Sequence, residues 1–184
     1  MPPTSKASHC HMISVLVENQ FGVLSRISGL FAARGFNIDS LAVGETHDPS
    51  ISRITLVVRG ADTMIEQVQK QLNKLVEVIK VANLTEIGDF VDRELVLVKV
   101  AAPSGRRGEI IEIANLFKAK TIDVTAESLT LEIVGTQDKV ATFLQLLEPY
   151  GIMELARTGR VALMRGPSGM HSSIAAATGS RLAS

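Results

Sequence analysis

Asn19 to Asn37, NQFGVLSRISGLFAARGFN, holds the densest set of groups able to bind a small polar ligand. Gly22 precedes an apolar series at helical spacing, Val23, Leu24, Ile27, Leu30 and Phe31, with Ser25, Arg26, Ser28 and Arg34 on other faces. A helix opening there leaves the first-turn amides of Gly22, Val23 and Leu24 without intrahelical acceptors. Glycine adds no side chain, so a carboxylate or phosphate can approach those donors closely. Gly35 follows the last turn, where a left-handed residue closes a helix. An ordinary strand-to-helix turn explains the same residues and is the commoner meaning of such a stretch taken alone.

Other chemistry is sparse. The chain has no G-x-S-x-G elbow, no P-loop and no H-E-x-x-H. His47 is the one histidine inside the expected domains, and beside Asp48 in a turn it reads as a solvated loop residue. His9-Cys10-His11 offers three adjacent metal ligands without partners elsewhere, a poor site, so no metal is expected. Gly105-Arg106-Arg107-Gly108 before a helix can present an anion site, and a surface loop explains it equally well. Lys70-Gln71-Leu72-Asn73-Lys74 reads as a solvated helix face. No catalytic constellation emerges, which favours a binding or regulatory role.

The elements that must position these groups follow from periodicity. An apolar strand runs from Ile13 to Glu18, a helix from about Gly22 to Arg34, and a strand from Asn37 to Glu45. His47-Asp48-Pro49-Ser50 is a turn, after which Ile54, Leu56 and Val58 alternate with Arg53, Thr55 and Arg59 as a half-buried strand. The spacing predicts a second helix over Thr63–Leu75, with Thr63 and Glu66 as a capping box, then a strand over Val76–Val81. The order βαββαβ gives an antiparallel sheet with both helices on one face and the other face uncovered. Thr85–Asp92 reads as a linker, and the order then repeats. Strands are expected at Glu94–Ala102, Ile122–Thr125, Leu129–Val134, Ile152–Ala156 and Val161–Met164, with helices around Ile110–Phe117 and Val140–Leu147 that Pro149 ends.

The expected architecture is α+β, two ferredoxin-like βαββαβ domains. The boundaries are a flexible arm over 1–11, a first domain over 12–85, a linker over 86–93, a second domain over 94–166, and a disordered Gly-, Ser- and Ala-rich tail over 167–184. Nineteen basic and nineteen acidic residues leave no net charge and no nucleic-acid footprint. No apolar run reaches the roughly 18 residues of a membrane span. The N-terminus lacks a signal-peptide core, and Cys10 alone forms no disulfide framework. A soluble cytoplasmic protein is the expectation.

The stretch ISVLVENQFGVLSRISGLFAARGFNIDSLAVG, Ile13–Gly44, resembles the ligand-binding start of an ACT domain, an amino-acid-sensing module. Over residues 12–166 the chain is similar to the regulatory small subunits of acetolactate synthase, through Ser52-Arg53-Ile54-Thr55, Arg93–Val100, Ile122-Asp123-Val124-Thr125, Glu148–Ile152 and Ala156-Arg157-Thr158-Gly159. Phe21 departs from the Pro that many ACT domains carry before the Gly. The resemblance implies a non-catalytic subunit that activates a large catalytic subunit and confers feedback inhibition by valine in branched-chain amino-acid biosynthesis. It implies a homodimer through ACT domains, with valine held by Asn19, Gly22, Val23 and Leu24 of one protomer and Asn37 and Ile38 of the other. Thiamine diphosphate, Mg and FAD are then expected on the large subunit, and no cofactor on this one. Free amino acids suit such a site: amides meet the carboxylate, the asparagines the ammonium, and Val23, Leu24 and Ile38 the side chain. An ACT-type transcription regulator and a stand-alone enzyme are the alternatives. The zero net charge and lack of a helix-turn-helix pattern oppose the first.

Overall fold

The computed structural model describes residues 9–167 together with Gly169 and Met170. The chain divides into two units. One takes the described residues up to Val91 and from Ala162 onward, and the other runs from Asp92 to Val161.

In the first unit β1 (His9–Glu18), α1 (Val23–Ala33), β2 (Ile38–Glu45), β3 (Ile51–Gly60), α2 (Asp62–Leu72) and β4 (Val78–Asn83) follow in order. The sheet is β2-β3-β1-β4, antiparallel at every pairing, with β2 at one edge. β1 and β3 pair along their full length, from His9↔Gly60 to Glu18↔Ile51. Odd-numbered β1 residues Ile13, Val15 and Val17 face the helices. There they pack with Val23, Ile27 and Phe31 of α1 and Ile65, Val68 and Leu72 of α2, the stripes that helical spacing marked out.

The second unit repeats the plan with β5 (Phe90–Ala101), α4 (Arg107–Leu116), β6 (Lys120–Val124), β7 (Ser128–Gly135), α5 (Gln137–Leu147) and β8 (Ile152–Arg157). Its sheet order is β6-β7-β5-β8, and β9 (Val161–Met164) also pairs with β5. Val96, Val98 and Val100 pack with Leu129, Leu131 and Ile133 and with Ile110, Val140 and Phe143 from the helices. A 3₁₀ turn over Glu148–Tyr150 carries Pro149 and ends α5. Both units are therefore α+β with the ferredoxin-like order of elements.

Several expectations need correction. The arm over 1–11 yields its last three residues to β1, because His9, Cys10 and His11 extend the β1–β3 ladder; residues 1–8 lie outside the described residues. The linker over 86–93 is partly regular: a short helix, α3 (Leu84–Ile87), buries Leu84, and β5 has begun by Phe90. The Thr63–Glu66 capping box does not form, since α2 already starts at Asp62 after Ala61 and has no side-chain cap.

The second sheet face of the first unit is not bare. Met12 and Val57 bury themselves against Leu84 and Ala162 there, while Leu16 and Ile51 pack with Met170. By its contacts the chain from Ala162 onward groups with the first unit. Of the expected disordered tail over 167–184, Met170 is buried, whereas Ser168 and 171–184 lie outside the described residues. Among the described residues no helix is long and apolar enough to cross a membrane.

Candidate functional site

Gly22 joins β1 to α1 in the left-handed region, at φ 85° and ψ −9°. That conformation is easy only for glycine, which explains the residue at this point. The first intrahelical bond runs from the Arg26 amide to the Gly22 carbonyl at 3.0 Å. No side chain caps α1 and no acid stands in its first turn. The preceding amides therefore face outward at the positive end of the helix, an anion-binding arrangement. A Cβ on Gly22 would meet no atom within 4 Å, so the approach is open. Phe21 beside it is fully exposed. On the next turn Arg26 pairs with Glu77, whose carbonyl accepts from the Glu18 amide at 2.9 Å, fastening the start of α1 to the end of β1.

Asn19 is held in one orientation. Its Nδ2 donates to Glu45 Oε1 at 3.1 Å and to the Pro49 carbonyl at 2.9 Å, while its backbone amide donates to Ser50 at 2.7 Å. The side-chain carbonyl has no partner among the described residues and is left as an acceptor. Asn37 is set in a similar way. Its Nδ2 donates to Asp39 Oδ1 at 3.0 Å, and Asp39 Oδ2 accepts from Arg59 Nε at 2.9 Å. An acceptor oxygen is what an ammonium group needs.

The structure does not bring the six sequence-marked residues together. Asn19, Gly22, Val23 and Leu24 lie at the end of the sheet where Glu45 pairs with Ser52, and Asn37 and Ile38 lie at the end where Ile38 pairs with Val58. β2 has eight residues between those ends, which at strand rise is roughly 23 Å. Val23 is 5% exposed and belongs to the core, so it offers its amide and not an apolar wall. Leu24 is exposed and Ile38 half-buried, and both remain open to contact.

Sequence reasoning missed Glu45, Pro49, Asp39 and Arg59, the groups that orient the two asparagines. Pro49 lies in a turn, Glu45 and Asp39 on edge strand β2 and Arg59 on the inner strand β3, so no local pattern marks them. The Arg106-Arg107 pair has structural work instead of an anion. Arg107 Nη2 donates to the carbonyls of Ala102, Thr125 and Ala126 at 3.0, 2.6 and 2.7 Å. Arg106 lies 4.3 Å over the Tyr150 ring and donates to the Pro149 carbonyl. His47 sits exposed in its turn.

The fold and this helix-start geometry define an ACT-domain regulatory protein. Residues 13–80 match the family model for the acetohydroxyacid synthase small subunit-like ACT domain, and residues 93–166 match that for the small subunit of acetolactate synthase. The probable acetolactate synthase small subunit of Archaeoglobus fulgidus is 54% identical over 156 residues, 85% of this chain and 97% of that protein. The acetolactate synthase small subunit of Mycolicibacterium smegmatis is 52% identical over 166 residues, 90% and 97% of the two chains. The crystal structure of the Thermotoga maritima small subunit superposes with a TM-score of 0.79 at 42% identity, covering 87% of this chain and 99% of that one. The chain belongs to the family of acetolactate synthase small subunits, the regulatory subunits of that enzyme of branched-chain amino-acid biosynthesis. Membership implies a large catalytic subunit as partner.

Proposed function

We propose that this chain activates the large, thiamine diphosphate-dependent subunit of acetolactate synthase in the cytoplasm and makes it sensitive to valine. Thiamine diphosphate, Mg and FAD belong in this reading to the large subunit. The valine site lies between the ACT domains of a homodimer, with Asn19, Gly22, Val23 and Leu24 from one copy and Asn37 and Ile38 from the other.

The observation that carries this reading is the division of those residues between the two ends of edge strand β2. One chain cannot close a site across roughly 23 Å of strand. Two copies pairing β2 to β2 in antiparallel fashion bring the Asn37 end of each beside the Asn19 end of the other. The valine carboxylate then sits on the uncapped α1 amides, its ammonium on the free asparagine oxygens, and its side chain against Leu24 and Ile38. A ligand bridging two protomers changes the dimer's geometry, which gives it a means of acting on a distant catalytic subunit.

The test is reconstitution. Added to the matching large subunit, the chain is expected to raise acetolactate formation from pyruvate and to make it fall with added valine. An unchanged rate, or substantial turnover by the small subunit alone, would contradict the proposal.

A further inference from the structure

We propose that Glu45 supplies the counter-charge for the ligand's ammonium and so makes the site choose an α-amino acid over the 2-oxo acid of the same carbon skeleton. The inference deepens the valine reading and rests on it.

Position comes first. Glu45 ends β2 opposite Ser52 of β3, and Ser52 stands opposite Val17 of β1. Residues opposite one another on adjacent strands share a face. Val17 packs with Val23 of α1, so Glu45 lies on the helix-covered face, at the end where α1 opens. Its Oε1 accepts from Asn19 Nδ2 at 3.1 Å. The oxygen and nitrogen of one amide are only about 2.2 Å apart, which puts the ligand-facing Asn19 Oδ1 within about 5–6 Å of that carboxylate oxygen. An ammonium bonded to Asn19 Oδ1 therefore sits inside the range where an opposite charge matters.

Charge comes second. Among the described residues Glu45 has no cation partner, and its one hydrogen bond is to the neutral Asn19 amide. The cations around it are engaged elsewhere. Arg26 pairs with Glu77, and Arg59 pairs with Asp39 near the other end of β2. Arg53 stands opposite Gly44 on the other face of the sheet, where it donates to Ser14. The other acids of this end are placed differently. Asp48 accepts from the Ser50 amide and hydroxyl, and Glu18, next to Val17 in β1, belongs to the opposite face. An ammonium carries donors and no acceptor, so it suits Asn19 Oδ1 and the Glu45 carboxylate together. The 2-oxo acid offers a carbonyl oxygen at the same carbon, an acceptor set against two acceptors. A site built around N–H donors rejects the analogue that lacks them. The site thus reads the aminated compound and not its carbon skeleton.

The experiment titrates L-valine and 3-methyl-2-oxobutanoate, by direct and competitive calorimetry, into full-length wild-type, Glu45→Gln and Gly22→Asp chains. The wild type should prefer valine by about 100-fold or more. Glu45→Gln removes the charge, keeps an oxygen for Asn19 Nδ2, and changes an exposed side chain, so the fold should survive. It should weaken valine about tenfold, as a charge-assisted contact becomes a neutral one, without weakening the 2-oxo acid. Unchanged valine affinity in Glu45→Gln, with valine binding lost in Gly22→Asp, would overturn the inference and leave the valine reading standing, since Glu45 would then only hold Asn19. Equal losses for the two ligands in Glu45→Gln, or no preference in the wild type, would overturn it as well. Valine binding that survives Gly22→Asp would instead defeat the reading beneath it.

Discussion

Gly22→Asp should remove valine control from a chain that still folds. The glycine φ of 85° makes any other residue strained, by about 1–2 kcal/mol, with aspartate among those that tolerate the region better. No atom lies within 4 Å of an added Cβ, so no clash adds to that strain. An acid at a helix N-terminus returns about 0.3–1 kcal/mol. The net cost is about 1 kcal/mol, a fall of about 4–8 °C in Tm for a unit of this size. The ligand loses far more. Two charge-assisted bonds from the α1 amides to the valine carboxylate are worth about 3–6 kcal/mol, roughly a 100-fold to 10,000-fold change in Kd. Gly22→Ala carries the backbone strain without the charge and should retain most of the affinity. Calorimetric titration of valine into each variant, beside a thermal melt, separates the two effects. Unchanged valine affinity in folded Gly22→Asp would refute the placement of the carboxylate on these amides.

Asn37→Ala should weaken valine binding less, by about 1.5–3 kcal/mol for one bond to the charged ammonium, since it removes one acceptor without adding repulsion; the same titration measures it. Tyr150 is the only tyrosine, and its hydrogen bond to Glu109 at 2.9 Å holds the phenol above its usual 10.0. The stability linked to this raised value is present below pH 10 and is lost as pH rises through the folded value. Phenolate absorbance should therefore titrate above pH 10, and Glu109→Gln should bring the midpoint down toward it. Met170→Ala should destabilise the first unit by about 2 kcal/mol, the low end for a buried methionine, read as a lower denaturation midpoint.

The alternation and helical stripes of this chain made both βαββαβ units legible, because each element has one face that must be buried. What eluded the pattern was contact between distant segments. Met12-Ile13-Ser14-Val15-Leu16-Val17 is apolar on both strand faces apart from Ser14, a sign that the sheet is covered on both sides. Nothing local shows that Leu84, Ala162 and Met170 supply the second cover. The start of β1 was hidden because His9 and Cys10 are polar and exposed, and only the ladder to Arg59 and Gly60 makes them strand. At the site, Gly22 was readable as the glycine between a strand and a helix. The locking of Asn19 by Glu45 and Pro49 was not, since it joins segments 26 and 30 residues apart. Val23 was placed in the ligand wall although its helical stripe already assigned its side chain to the core.

A mixed dimer tests the shared site most directly. Gly22→Asp chains and Asn37→Lys chains, each expected to lose valine binding alone, are combined so that each heterodimer holds one of both. If Gly22 of one copy and Asn37 of the other form each site, one of the two sites in that heterodimer is wild type at both positions. The account predicts that valine binding returns at one site per heterodimer, with wild-type affinity. Heterodimers that bind no valine would show that both residues act within one chain, and the account would be wrong.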